Sequence, residues 1–386
     1  MSENRHPAAV QVLLVSHQAA PNLLAALDPG LKPAEAVLVV SDKMRERADA
    51  LERVLREAGV RTHRQPLPNE HDYPALEAAL MDLAAERDGE SIALNVTGGT
   101  KLMALAAQSI ALAAGWKVFY VDADTDEVIW LGRQAGQRQR LTEQLRLRHY
   151  LMGYGFTLDA GSPRPLPDDG QEALIHTLLL QIGSLEKPLG QLNWLAQRAE
   201  DRRSLSISLD AEKLQPDPNL EALLRQFQAA GVLSVTGAAI TFADDARRGF
   251  AKGGWLEHHL HRLVSGLGGT LGLRDLAANL EVTDAGGVTN ELDLAFLARN
   301  RLFIVECKTA RMDKPNAPKA NDTLFKLAEI VRRVGGLGAR GLLASYRPLR
   351  DSEQRLARAL GIELVCGPEL ARLPTKLKTW VEAGRA

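Results

Sequence analysis

Between residues 10 and 132 the chain repeats one unit, a short and almost wholly apolar run followed by a stretch with helical spacing. VQVLLVS (10–16), AVLVVSD (36–42) and SIALNVT (91–97) are three such runs. In the charged stretch after the second, Met44, Ala48, Leu51, Val54 and Leu55 recur at the period of a helix. Strands that are apolar on both faces need cover on both faces, and helical crossovers make neighbouring strands parallel. The expectation is an α/β domain with a parallel sheet between two layers of helices. RTHRQPLP (61–68) adds a short strand. WKVFYVD (116–122) and EVIWLG (127–132) are separated only by the acidic turn Ala123–Asp126, which predicts a hairpin at one edge. With 5% aromatic residues, Ala, Leu and Val must build most of the core.

Composition then changes along the chain. Residues 151–170 include GYGFTLDAGSPRPLPDDG, rich in Gly, Pro and Asp, and read as a linker. Residues 171–248 read as two helices, QEALIHTLLLQIGS and PLGQLNWLAQRAED, then helix, strand, Thr-Gly turn and strand. That order is winged-helix-like. It serves either as a packing adaptor or as a DNA reader, and few Lys or Arg lie on the would-be recognition helix. Residues 249–386 form a third α/β unit: a helix at KGGWLEHHLHRLVSGL, then strand, loop, strand, turn at Asn300-Arg301, strand, and further helix–strand pairs.

The chain of 386 residues carries 47 basic and 48 acidic side chains, so any signal for nucleic acid must be local. Two cysteines, Cys307 and Cys366, make neither a disulfide framework nor a Cys-rich zinc site. The first apolar run is too short for a signal peptide and no window reaches membrane-span length, so the expectation is a cytoplasmic protein with no membrane partner.

Two stretches carry chemistry. The first is NVTGGTKLM (95–103). A phosphate-binding P-loop needs Gly-Lys-Ser/Thr, but here Thr100 precedes Lys101 and Leu102 follows it, so the hydroxyl that would hold Mg²⁺ is missing. A strand end, two glycines and a helix start remain, and helix N-terminal amides favour anions. Ser16, His17 and Gln18 end another strand on the same rim, as do Ser41, Asp42 and Lys43. The bland alternative is a turn with no ligand.

The second stretch is ELDLAFLARNRLFIVECK (291–308). Alternation along a strand places Glu291 and Asp293 on one face, with Leu292, Leu294 and Phe296 on the other. Glu306 and Lys308 share a face of the next strand. Carboxylates on so apolar a hairpin are costly unless they are paired or bind a cation. Their oxygens suit Mg²⁺ or Mn²⁺, and Lys308 would position or deprotonate a water or steady developing charge. From 294 to 350 twelve Lys or Arg face four acids, which fits a polyanionic substrate. The loop ARMDKPNAPKAND (310–322) is placed to close over it. His258, His259 and His261 point in different directions on one helix and read as structural or surface residues.

The first stretch, together with V-S-x-Q-x-x-P-N after the first strand, resembles the CARF (CRISPR-associated Rossmann fold) domains. The resemblance covers roughly the first 140 residues. It implies a homodimer that binds cyclic oligoadenylate, in the first instance cyclic tetra-adenylate, across its interface. Ser16, Gln18, Asn95, Thr97, Gly98, Gly99, Thr100 and Lys101 would line the ligand, and Met103 would face the core. The second stretch, D-x(12)-E-x-K, resembles the PD-(D/E)XK nucleases, with Leu292 where the family's name has Pro. That likeness implies metal binding by Asp293, Glu306, the Cys307 carbonyl and Glu257 of the first core helix, with Lys308 assisting phosphodiester hydrolysis. Catalysis would rest on Asp293, Glu306, Lys308 and Glu257. The pair of likenesses implies an accessory nuclease of type III CRISPR defence, acting on DNA and/or RNA. The alternative is a CARF-regulated winged-helix transcription factor with an inactive nuclease-like domain. A HEPN-type RNase needs Arg-x(4–6)-His in a helical pair, and the chain offers no convincing candidate.

Overall fold

The computed structural model describes residues 8–67, 69–142, 145–159, 168–309, 320–335 and 338–383. The first domain holds strands β1 (Val10–Leu14), β2 (Glu35–Ser41), β3 (Arg61–Leu67), β4 (Ile92–Asn95), β5 (Lys117–Asp122), β6 (Glu127–Leu131) and β7 (Arg138–Arg140). They form one sheet in the order β3-β2-β1-β4-β5-β6-β7. The first five are parallel, and β5-β6-β7 continue antiparallel. Helices α1 (Ala20–Leu27) and α2 (Arg45–Glu57) cover one face, while α3 (Tyr73–Glu86) and α4 (Lys101–Ala113) cover the other. Two-sided cover explains why β1 and β4 are buried at every position. The order reverses between β1 and β4, so a crevice opens beyond their carboxyl ends.

The Gly/Pro-rich stretch is more than a linker. Helix α5 (Leu147–Gly153) leads into β8 (Thr157–Asp159), which pairs antiparallel with residues 281–283 of the third domain. Tyr150 and Tyr154 stack at 5.0 Å in the core. Apolar burial there outweighs the local preference for a loop; the remaining residues 160–167 lie outside the described residues.

The middle unit comprises α6 (Asp169–Leu180), α7 (Ile182–Asp201), β9 (Ser206–Ser208), α8 (Pro218–Ala229), β10 (Leu233–Thr236) and β11 (Ala239–Phe242). Its three strands form a small antiparallel sheet, completing the winged-helix-like order. Helix α7 begins six residues before Pro188, which sits inside it. The exposed face of α8 carries Arg225 beside Glu221 (3.8 Å), so it presents little positive charge.

A short helix α9 (Asp245–Gly249) and a π-helical turn kinked at Gly253 lead into α10 (Trp255–Gly266) and α11 (Gly268–Leu271). Strands β12 (Leu273–Thr283), β13 (Thr289–Ala298) and β14 (Arg301–Lys308) follow, then α12 (Ala320–Gly335), β15 (Arg340–Ser345), α13 (Asp351–Ala359), β16 (Ile362–Cys366) and α14 (Leu373–Glu382). The sheet order is β16-β15-β14-β13-β12-β8, antiparallel from β8 to β14 and parallel from β14 to β16. The β13–β14 turn is Arg299-Asn300, one residue earlier than the spacing indicated. Both residues have positive φ (51° and 59°), the twist a two-residue hairpin requires. One apolar cluster runs from Leu13 and Phe119 in the first domain through Tyr150 to Leu302 and Leu324 in the third.

Candidate functional site: a sensor crevice and a nuclease hairpin

At the first domain's crevice, Asn95 is fully buried and works as a tie. Its Nδ2 donates to Asn22 Oδ1 (3.0 Å) and its Oδ1 accepts from the Thr97 amide (3.0 Å) and hydroxyl (2.6 Å). Asn22 in turn donates to the Leu14 carbonyl (3.0 Å). The Thr97 hydroxyl also accepts from Val121 N on β5 (2.7 Å), so it is committed to the fold on both sides. A Cβ on Gly98 would overlap the Leu14 carbonyl, and Gly99 has φ 76° against the Leu14 side chain. These glycines are therefore demanded first by close packing on β1, not by ligand approach alone.

Thr100 is the N-cap of α4, its hydroxyl accepting from Met103 N (3.2 Å), and Met103 is buried as expected. Lys101 and Gln18 are exposed and Ser16 is half-buried, with its hydroxyl accepting from Gln18 N (3.2 Å). Further along the rim, Lys43 pairs with Glu70 (2.8 Å) and Asp42 with Arg45 (2.6 Å). The crevice thus offers Lys101, the first amides of α4 and the β1 loop to a ligand, held by an interior Asn–Thr network.

In the third domain the expected alternation fails at Asp293. Leu292 packs with Leu324 and Leu327 of α12, whereas Leu294 and Phe296 pack on the opposite side with Trp255 and Trp380. Across the ladder, Asn279 of β12 has φ 52°, and the β12–β13 register skips the 279/293 position. This irregularity turns Asp293 out of strict register. The β13–β14 ladder ends at Leu294–Val305, and beyond it Asp293 Oδ2 accepts from Cys307 N (2.7 Å) in place of a strand partner.

Lys308 Nζ lies 2.6 Å from Glu306 Oε1 and 4.0 Å from Asp293 Oδ2, so it bridges the two carboxylates. Burial, then the charge of Glu306, push the Asp293 carboxyl up to about 7, with Lys308 partly offsetting them and Glu257 adding to the rise. Burial opposes the Lys308 charge, but Glu306 and Asp293 outweigh it and hold the ammonium well above the usual lysine range. The two carboxylates thus favour the charged form of Lys308. The Cys307 thiol between them is buried and raised well above its ordinary range. Glu257 projects from α10 near enough for its charge to act on Asp293 and Cys307. His259 and His261 on the same helix are shifted down by burial, as structural residues would be.

Among the described residues no three His, Cys, Asp or Glu close into a ready-made metal cluster. The donors that do meet are hard oxygens, Asp293 and Glu306, with Glu257 near enough for its charge to act on Asp293 and one lysine beside them. That donor set fits a divalent cation bound through one or two carboxylates plus water and substrate oxygens. Beside Glu306, a groove is lined by Glu291, Thr323 and Lys326.

The basic surplus is largely spoken for. Arg301, Arg332, Arg333 and Arg347 pair with carboxylates, and Arg340 donates to the Trp380 carbonyl (3.0 Å). Arg311, Lys314 and Lys319, with most of the 310–322 loop, lie outside the described residues. Lys326 and Arg350 are exposed.

Sequence reading missed the junction between the two sites. Arg301 pairs with Asp124 in the β5–β6 turn. Asn300 Nδ2 donates to the Ala123 carbonyl (3.3 Å) and to Asp126, and Arg274 Nη2 lies 2.5 Å from Asp126 Oδ2. The acidic turn and the Asn-Arg turn were both visible as turns; that they face each other was not.

Fold and sites together define an α/β ligand-sensing domain joined through a winged-helix-like unit to a restriction-endonuclease-like nuclease domain. Residues 10–150 match the family model of the Card1 CARF domain and residues 244–384 that of the Card1-like endonuclease domain, so the chain belongs to the CARF-domain nucleases of the Card1 type. Its fold is similar to protein VC1899 from Vibrio cholerae, at 27% identity over 97% of this chain and 98% of that one (TM-score 0.87). It is also similar to Can2 from Sulfobacillus thermosulfidooxidans in complex with cyclic tetra-adenylate, at 24% identity over 97% of each chain (TM-score 0.78). A type III CRISPR defence DNA nuclease activated by cyclic oligoadenylate matches at 22% identity over 89% of this chain and 46% of that one (TM-score 0.54). No curated protein sequence matches significantly. Among the described residues no helix is long and apolar enough to cross a membrane.

Proposed function

We propose that this nuclease is switched on by a cyclic oligoadenylate, cyclic tetra-adenylate in the first instance, and cleaves DNA and/or RNA with Mg²⁺ or Mn²⁺ in type III CRISPR defence. The observation that carries the reading is the meeting of Asp293, Glu306 and Lys308 at one end of a hairpin whose other end is bound to the sensor turn.

Asp293 and Glu306, with the Cys307 carbonyl and Glu257 in support, would hold the cation, which supplies a water of lowered pKa and polarises the scissile phosphate. Lys308 keeps its proton and steadies charge developing on the phosphoryl oxygens. The apolar walls of the hairpin limit water around these charges, which strengthens their action.

Support for a homodimer comes from α4. Leu102, Leu105 and Leu112 recur along one side of the helix and are exposed, as is Tyr120 on the neighbouring strand. Two such faces brought together on a two-fold axis would set both Lys101 side chains at one ligand. A ligand that binds one dimer arrangement better than another then shifts the nuclease population.

The test is purified full-length protein with plasmid or RNA, Mn²⁺, and cyclic tetra-adenylate present or absent. Cleavage that depends on the ligand and disappears in Glu306→Ala and Lys308→Ala supports the reading. Ligand-independent cleavage, or none, sinks the activation; cleavage surviving both substitutions sinks the site.

A further inference from the structure

The winged-helix-like unit is bound to the nuclease by one face of α7. Glu186, Gly190 and Asn193 stand at i, i+4 and i+7, which aligns them along a single side of the helix. Glu186 receives Arg347 twice, at its carboxylate (2.7 Å) and its carbonyl (2.8 Å). At Gly190 a Cβ would overlap the same guanidinium, so the glycine leaves the room in which Arg347 reaches Glu186. Asn193 is buried against Thr309. With its amide oriented to satisfy every neighbour, its oxygen accepts from the Thr309 hydroxyl (3.1 Å) and its nitrogen donates to Ala251 (2.8 Å) and Leu189 (3.1 Å) carbonyls.

These contacts converge on the ends of the catalytic strands. Thr309 directly follows Lys308, and Arg347 lies two residues beyond Ser345, the β15 partner of Lys308. The Lys308 carbonyl accepts from Tyr346 N (2.8 Å) between them. Ala251 and Gly253 belong to the kink that launches α10, the helix bearing Glu257. Gly253 has φ 137°, and a Cβ there would overlap the Thr309 hydroxyl.

We infer that Asn193 is a positioning residue for the nuclease. Through Thr309 and the Ala251 carbonyl it fixes the strand that carries Lys308 relative to the helix that carries Glu257. The middle unit is thereby part of the active-site frame. The inference rests on the nuclease reading of Asp293, Glu306 and Lys308.

Two measurements on full-length protein test it. In ligand-activated cleavage with Mn²⁺, Asn193→Leu and Thr309→Val each lower kcat by about tenfold or more with KM within about twofold. Thr309→Ser, which keeps the hydroxyl, stays near wild type, and the double variant Asn193→Leu/Thr309→Val loses no more than the worse single, because one bond is shared. Amide hydrogen exchange without substrate reads the frame directly: in Asn193→Leu, exchange rises several-fold in peptides covering 301–309 and 341–347, while 92–122 is unchanged. Unchanged exchange in the strand peptides overturns the inference whatever the activity. So do additive kinetic losses, or a Thr309→Val enzyme with normal kcat. Wild type that shows no ligand-dependent cleavage, with the exchange result as expected, counts against the function and leaves the positioning supported.

Discussion

Arg301 grips Asp124 with both arms of its guanidinium, Nε 2.9 Å from Oδ1 and Nη2 2.6 Å from Oδ2. Asp124 lies in the turn after β5, and β5 is tied to the sensor loop by the bond from Val121 N to the Thr97 hydroxyl. Arg301 opens β14, whose far end carries Glu306 and Lys308. The sensor loop and the proposed catalytic cluster are thus connected through two strands and one bidentate pair. Asp124→Ala is expected to leave ligand affinity within about twofold and to cut ligand-stimulated cleavage by about 5- to 150-fold, the usual size of an allosteric coupling. Swapping the charges, Asp124→Arg with Arg301→Asp, should recover part of it. Calorimetric ligand titration beside a cleavage assay decides, and full stimulation in Asp124→Ala rules this route out.

Asp293→Asn should behave oppositely in two assays. It keeps an oxygen for Cys307 N but removes a crowded buried charge, so the metal-free protein should gain about 1 kcal/mol at pH 8. Cleavage should fall by about a hundredfold or more. Thermal melts and turnover on the same sample check both. A melting temperature below wild type in metal-free buffer contradicts the electrostatic account.

The raised Asp293 carboxyl also sets a pH dependence. What it contributes to stability without metal is complete below the ordinary carboxylate range near ~4 and is lost as pH rises through about 7. Cation affinity runs the other way. It strengthens by up to about tenfold per pH unit below 7 and levels off above, because proton and metal compete for one carboxylate. Mn²⁺ titrations between about pH 5.5 and 8 test this, and a flat profile would refute it. The upward shift of Lys308 adds a second mark: no lysine ionisation should limit turnover between about pH 7 and 10.

At the sensor, packing and ligand contact should separate cleanly. Gly98→Ala forces a methyl into the Leu14 carbonyl and should cost about 1–3 kcal/mol of stability, read from denaturant melts. Lys101→Ala removes an exposed charge, so stability should hold while cyclic tetra-adenylate binding weakens about tenfold. Equal effects of both on stability would mean that Lys101 is structural.

Leu105 is 58% exposed in the middle of the apolar stripe on α4. Leu105→Glu should convert a dimer to a monomer in light scattering and abolish stimulation by ligand. A wild-type monomer at micromolar concentration with ligand bound would exclude this face as the interface.

Much of the fold could be read along the chain because burial leaves a periodic mark. The runs at β1, β2 and β4 announced a parallel sheet, and a helix start was expected just after the two glycines, where α4 begins. The meeting of Asp293, Glu306 and Lys308 was legible too, because they interrupt otherwise apolar strands. What escaped was each feature that depends on a distant partner. β8 sits in a Gly/Pro-rich stretch and is a strand only because β12 offers an edge. The α7 stripe of Glu186, Gly190 and Asn193 has helical spacing but little meaning until Arg347 and Thr309 arrive beside it.

The sequence alone determined the α/β class, the two chemical stretches and the residue types each could use, since periodicity and side-chain chemistry are local properties. Only the tertiary structure decided how those residues act. The positive φ of Asn279 and the end of the β13–β14 ladder turn Asp293 toward Cys307 N, against simple alternation. Packing of Glu306 beside Lys308 favours the charged form of that lysine. The joining of Asp124 to Arg301, 177 positions apart, brings sensor and nuclease into contact. Charge, burial and close approach depend on distances in space, and those exist only once the chain has folded.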